Sequence, residues 1–74
     1  VHLVVIPKAH TPSLVDLGDG GEILLAKIIK VVRQLAAEIT EQHGACRVLT
    51  NLGEYQDSKH LHFHVCSGDP LREE

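Results

Sequence analysis

The 74-residue sequence predicts an α+β fold, an antiparallel β-sheet with one long helix packed on it. Three observations lead there. Short apolar or β-branched runs at residues 3–6, 47–50 and 60–66 have the length of strands. The intervening stretch from Gly21 to His43 repeats apolar residues at spacings of three and four, the period of a helix. The last two runs are separated by a polar segment, as in a hairpin, and that connection makes neighbouring strands antiparallel.

Leu3-Val4-Val5-Ile6 is apolar throughout and is ended by Pro7, which has no N–H to continue a ladder. Residues 7–21 hold two prolines, three glycines and two aspartates and are expected to form a connecting loop, with one helical turn over Ser13 to Leu17. Asp19 and Glu22 stand in the N-cap and N3 relationship of a capping box. The helix then presents Leu25, Ile28, Ile29, Val32, Leu35, Ala36 and Ile39 as one stripe, with a second, weaker line through Leu24, Ile28, Val31 and Leu35. A helix this apolar is expected to pack on more than one side. Gly44 supplies the residue that ends it. Asn51-Leu52-Gly53 begins a turn, Glu54 to Lys59 is polar loop, and Ser67-Gly68-Asp69-Pro70 closes the last strand.

The length allows a single domain, residues 1–74. Chains of this size bury only about 60% of their unfolded surface and commonly need help to be stable. Cys46 and Cys66 form one bridge at most, with no framework spacing, and are expected to be free thiols in a reducing, cytoplasmic setting. Association with a second copy is then the expected aid. A formal net charge of −3 argues against nucleic acid as the main partner. No apolar run approaches the ~20 residues that span a bilayer, so no membrane partner is expected. The chain opens inside a strand without Met or a basic leader region, so the domain is expected to be N-terminally incomplete.

Histidine is the compositional anomaly: six are present, and three fall within the five positions of His60-Leu61-His62-Phe63-His64. On a strand, side chains alternate between faces. His60, His62 and His64 therefore share one face, about 7 Å apart along an extended chain, while Leu61, Phe63 and Val65 are left to pack on the helix. Three roles fit a line of imidazoles. A neutral imidazole attacks phosphorus while its neighbours hold phosphate oxygens or fix its tautomer. Alternate histidines also ligate Zn²⁺, with Cys66 continuing the same face. The third role is an exposed strand face without chemistry.

His60-Leu61-His62-Phe63-His64-Val65-Cys66 resembles the signature of the histidine triad (HIT) family, His-φ-His-φ-His-φ-φ with φ apolar. Other matches follow in order. Val1 to His10 looks like the family's strand leading into Ile-Pro-Lys-x-His. Arg47 to Gly53 is similar to its strand ending in Asn-x-Gly. Gln56 precedes the triad where Gln is frequent, and Ser67-Gly68 stands where many members have Gly-Gly. The resemblance covers essentially the whole chain, and the Hint-type nucleoside phosphoramidases look most similar. It implies a HIT-like α+β fold and a homodimeric hydrolase or transferase. The reaction would act on the α-phosphate of small-molecule purine nucleotides, phosphoramidates or adenylates, through a nucleotidyl-histidine. No cofactor and no metal are implied.

Matched by position, His62 is the nucleophile, His64 contacts phosphate, His60 orients the set and His2 is a fourth active-site histidine. Asn51 and Gln56 match residues that hold the sugar-phosphate. Asp57 stands where Ser or Thr often helps the leaving group, and Ser58 is the neighbour able to substitute for it. Family members usually carry a further N-terminal region that supplies much of the purine pocket, and some bacterial members hold zinc through an N-terminal Cys pair; no Cys-x-x-Cys is present here. The alternatives are a non-catalytic nucleotide- or zinc-binding module and an inactive fragment. His10 and His43 are expected to be structural, His43 as a cation in the last helical turn. For Asn51 the alternative to ribose binding is a left-handed turn next to Gly53.

Overall fold

The computed structural model describes residues 1–56 and 59–68. The expectations for Asp57 and Ser58, and for the chain beyond Gly68, lie outside the described residues. Three strands and one helix form in the order β1 (His2–Val5), α1 (Gly21–His43), β2 (Arg47–Leu49) and β3 (Phe63–Cys66), with a short 3₁₀ turn at Gly53–Tyr55. The sheet is antiparallel with β3 in the centre, in the order β1-β3-β2. Val5 pairs with Phe63 and His2 with Cys66 on one side, and Leu49 pairs with His64 and Arg47 with Cys66 on the other.

The central position of β3 explains its composition. Its helix-facing side chains, Phe63 and Val65, are buried together with the preceding Leu61 against Ile28, Val32 and Ile39 of α1. Val65 is 0% and Leu61 1% exposed, so both lose all contact with water. Each such burial is worth about 1.5–3 kcal/mol, and in a chain this small these few side chains carry much of the stability. Leu24, Leu25, Leu35, Ala36 and Cys46 complete the packing. Ile29, assigned to the stripe by its spacing, is instead exposed, as are Ile23 and Val31. The apolar faces of α1 therefore extend beyond what this sheet covers. On β1, both faces remain open at Leu3 and Val4, and the flanking Val1 and Ile6 are exposed as well. No described helix is long and apolar enough to cross a membrane.

The helix bounds agree with the periodicity at both ends. Gly44 closes the helix at φ 84°, its N–H donating to the Thr40 carbonyl over 2.8 Å, a left-handed geometry that favours glycine. The start differs from the capping box expected of Asp19 and Glu22. The cap is Gly20, left-handed at φ 71°, with no side-chain hydrogen bond. Gly20 holds a left-handed conformation that favours glycine, and Gly21 leaves no room for a Cβ beside Leu17, so the chain enters the helix through two glycines and Asp19 stays one residue outside the cap. Glu22 still places a carboxylate in the first turn, where the helix dipole favours it. The expected helical turn at Ser13 to Leu17 is instead a tight turn, in which Ser13 and Asp16 exchange backbone hydrogen bonds of 3.4 and 3.2 Å.

Two substitutions test this packing. Leu61→Ala should lower the unfolding free energy by about 2–5 kcal/mol, read from urea denaturation. Gly21→Ala should cost about 1–3 kcal/mol by overpacking Leu17, measured in the same way.

Candidate active site

The expected seven-residue strand 60–66 is shorter: β3 begins only at Phe63. Pairing with β1 stops at Val5, ahead of Pro7, and pairing with β2 stops at Leu49. His62 therefore lies one residue past the end of the β1 ladder and two past the end of the β2 ladder. Its peptide is held by other means. The Leu61 N–H donates to the Thr11 carbonyl over 2.6 Å, and the Thr50 hydroxyl donates to the His62 carbonyl over 2.6 Å.

This break redistributes the histidines. His62 and His64 keep the shared face, with ring centroids 5.0 Å apart and nearly edge-on at 79°. The ring of His60 instead turns away and donates from Nε2 to the Pro7 carbonyl over 3.2 Å, beside the ring of His10 at 5.2 Å. The third ring in the cluster is His2. It lies diagonally across from His64 on β1, with Nε2 2.8 Å from His64 Nδ1 and ring centroids 5.0 Å apart. The contiguous imidazoles are thus His2, His64 and His62. His60 meets them through its backbone, because its carbonyl accepts a 2.8 Å hydrogen bond from His62 Nδ1.

That last bond has a chemical consequence. A carbonyl oxygen only accepts, so Nδ1 of His62 carries the proton. In the neutral ring Nε2 then holds a free lone pair. Burial lowers the pKa of His64 below 6.5, and the neighbouring His62 and His2 lower it further by charge repulsion. A depressed histidine pKa contributes stability that is present above the unfolded value and lost as pH falls through the folded one.

The remaining candidates are placed as follows. Asn51 is half-buried, just past Thr50 at the open end of the sheet. Its backbone is not left-handed, since positive φ among the described residues occurs only at glycines, Gly53 among them. Gln56 is buried at 6% exposure, and its Nε2 donates to the Pro12 carbonyl over 2.7 Å, fastening the 51–60 loop to the loop after β1. Cys66 is buried and Cys46 half-buried, both as free thiols. Among the described residues, no three of His, Cys, Asp and Glu are grouped to hold a metal ion. His43 occupies the last helical turn, as expected. Sequence reasoning did not single out Thr50. A Thr just past the end of β2 carries no pattern until the ladder is seen to stop beside it.

A family model described as the scavenger mRNA decapping enzyme C-terminal binding domain matches residues 1–71. A HIT-like protein of Chlamydia pneumoniae is 40% identical over 72 residues, covering 96% of this chain and 66% of that protein. The chain belongs to the histidine triad family. Among its relatives, the purine nucleoside phosphoramidase of Escherichia coli K12 is 32% identical over 76 residues, covering 95% of this chain and 60% of the relative. A HIT family hydrolase from Legionella pneumophila has the same fold, with a TM-score of 0.76 and 30% identity over 93% of this chain and 63% of its own. A histidine triad protein from Clostridium difficile gives 0.73 and 35%, over 92% and 61%. This histidine triad chain thus spans about two thirds or less of the length of these relatives, 60–66%.

A ¹⁵N titration of the imidazoles checks the electrostatics of the cluster. His64 should titrate with a midpoint below 6.5, and His2→Leu should raise that midpoint by removing one of the repelling neighbours. A midpoint at or above 6.5 in the unaltered protein contradicts the placement.

Proposed function

We propose that this chain carries the catalytic half of a nucleotide hydrolase or transferase acting on the α-phosphate of purine nucleoside phosphoramidates or adenylates. The observation that carries the reading is the Nδ1–H···O=C bond from His62 to His60, which leaves the His62 Nε2 lone pair available beside His64. The resemblance to a phosphoramidase and to a solved hydrolase supports the same reaction class.

In this reading, His62 Nε2 attacks the α-phosphorus. The bond from phosphorus to the leaving amine breaks, and the amine departs with a proton. The product is a nucleotidyl-histidine, a covalent intermediate that divides one difficult displacement into two. Water then attacks the same phosphorus, the N–P bond breaks, and the nucleoside monophosphate leaves with His62 restored. When His2 Nε2 donates to His64 Nδ1, His64 carries its own proton on Nε2 and presents it to a phosphate oxygen. Such a fixed donor acts on the charge that grows in the transition state. His60 takes part through its carbonyl, by holding the tautomer of His62. Asn51, at the open end of the sheet, is assigned to the ribose. Asp57 and Ser58 are assigned to the leaving-group side. Gln56 is assigned to the sugar-phosphate, with its side chain anchored by the bond to the Pro12 carbonyl. The full enzyme would work as a homodimer.

The test is release of AMP from adenosine 5′-phosphoramidate, with trapping of radiolabelled nucleotidyl-protein. His62→Ala should abolish both while leaving the circular dichroism spectrum unchanged. Turnover at the original rate in His62→Ala would end the reading, and tight AMP binding without turnover in the unaltered protein would make the chain a binding module.

A further inference from the structure

We propose that the Thr50 hydroxyl is a positioning residue for His62, replacing a missing ladder bond so that the attacking nitrogen keeps one place at the end of the sheet. The proposal rests on the reading of His62 as the nucleophile. Continuing the register, Thr50 would face Phe63 and Asn51 would face His62, but β2 ends at Leu49 and neither pair forms. On the other side β1 ends at Val5, so Ile6, which would continue the register opposite His62, does not pair with it. The His62 carbonyl is therefore left without a backbone donor from either neighbouring strand. The Thr50 Oγ1 fills that place at 2.6 Å.

The geometry suits the task. The bond joins the first residue past β2 directly to the peptide carbonyl of His62. The other side of the same segment is tied by the Leu61 N–H to Thr11. With both ends of the Leu61–His62 unit fixed and the ring tied to His60, the rotation that would swing Nε2 is restricted. Thr50 is half-buried, and its hydroxyl bonds the backbone carbonyl of His62 rather than the imidazole. Its hydroxyl acts on the chemistry only through where it holds His62. A small misplacement of a reacting atom is known to cost up to about a hundredfold in rate.

The test compares Thr50→Val and Thr50→Ser in the full natural chain. Valine keeps the shape and the strand preference of threonine but removes the donor. Thr50→Val should lower kcat about tenfold while KM changes less than about twofold, the signature of an interaction that matters in the transition state. Thr50→Ser should restore most of the rate. The side-chain scalar couplings of His62, measured by NMR, should report one rotamer in the unaltered protein and averaging in Thr50→Val, with those of His43 unchanged. A Thr50→Val protein with unaltered kcat and unaltered His62 couplings would overturn the proposal. If the unaltered protein shows no turnover, the enzymatic reading fails separately. The His62 couplings then decide the positioning role alone: averaging in Thr50→Val upholds it, and a fixed rotamer overturns it.

Discussion

The alternation of side chains along β3 and the residues just before it governs the molecule. Leu61, Phe63 and Val65 are buried beneath α1, so the residues between them must face the other way. Burial on one side thereby fixes the direction of His62 and His64 on the other. A one-residue slip in register would exchange the two sets, placing imidazoles in the core and apolar groups in water. The stability of the core and the orientation of the chemistry are the same constraint read from opposite faces. For this reason β3 is central, with a partner strand on each side.

Where the sheet stops matters as much as where it runs. Regular pairing would lock His62 into the same extended geometry as His64. Instead both ladders end before it, and local bonds from Thr11 and Thr50 take over. The released backbone lets the carbonyl of His60 turn to meet Nδ1 of His62. It also lets the rings of His62 and His64 approach to 5.0 Å, closer than the ~7 Å of an extended strand. His2 reaches the cluster from β1 because the register pairs it with Cys66, diagonal to His64.

Much of this was legible in the residues. The period of α1, its end at Gly44, the antiparallel sheet and the common face of His62 and His64 all follow from spacing. The helix start was not legible, since Asp19 and Glu22 satisfy a capping pattern, while the left-handed Gly20 that sets the actual cap depends on how the loop packs Leu17 against Gly21. The departure of the His60 ring was not legible either, because the end of a ladder depends on the partner strands. Gln56 shows the same limit: a polar loop residue reads as a ligand candidate, and only the fold brings the Pro12 carbonyl to it. The resemblance to the histidine triad family supplied the fourth histidine, which spacing alone could not join to a segment so distant in sequence.

The central claim is that the backbone fixes His62 in the tautomer that frees Nε2 for attack. Two-bond ¹H–¹⁵N correlation spectra of the imidazoles, recorded above pH 7, test it directly. The account predicts a protonated, pyrrole-type Nδ1 and a bare, pyridine-type Nε2 for His62. A proton on Nε2 with a bare Nδ1 would contradict it, since the bond to the His60 carbonyl could not then exist and the attacking lone pair would point away from His64.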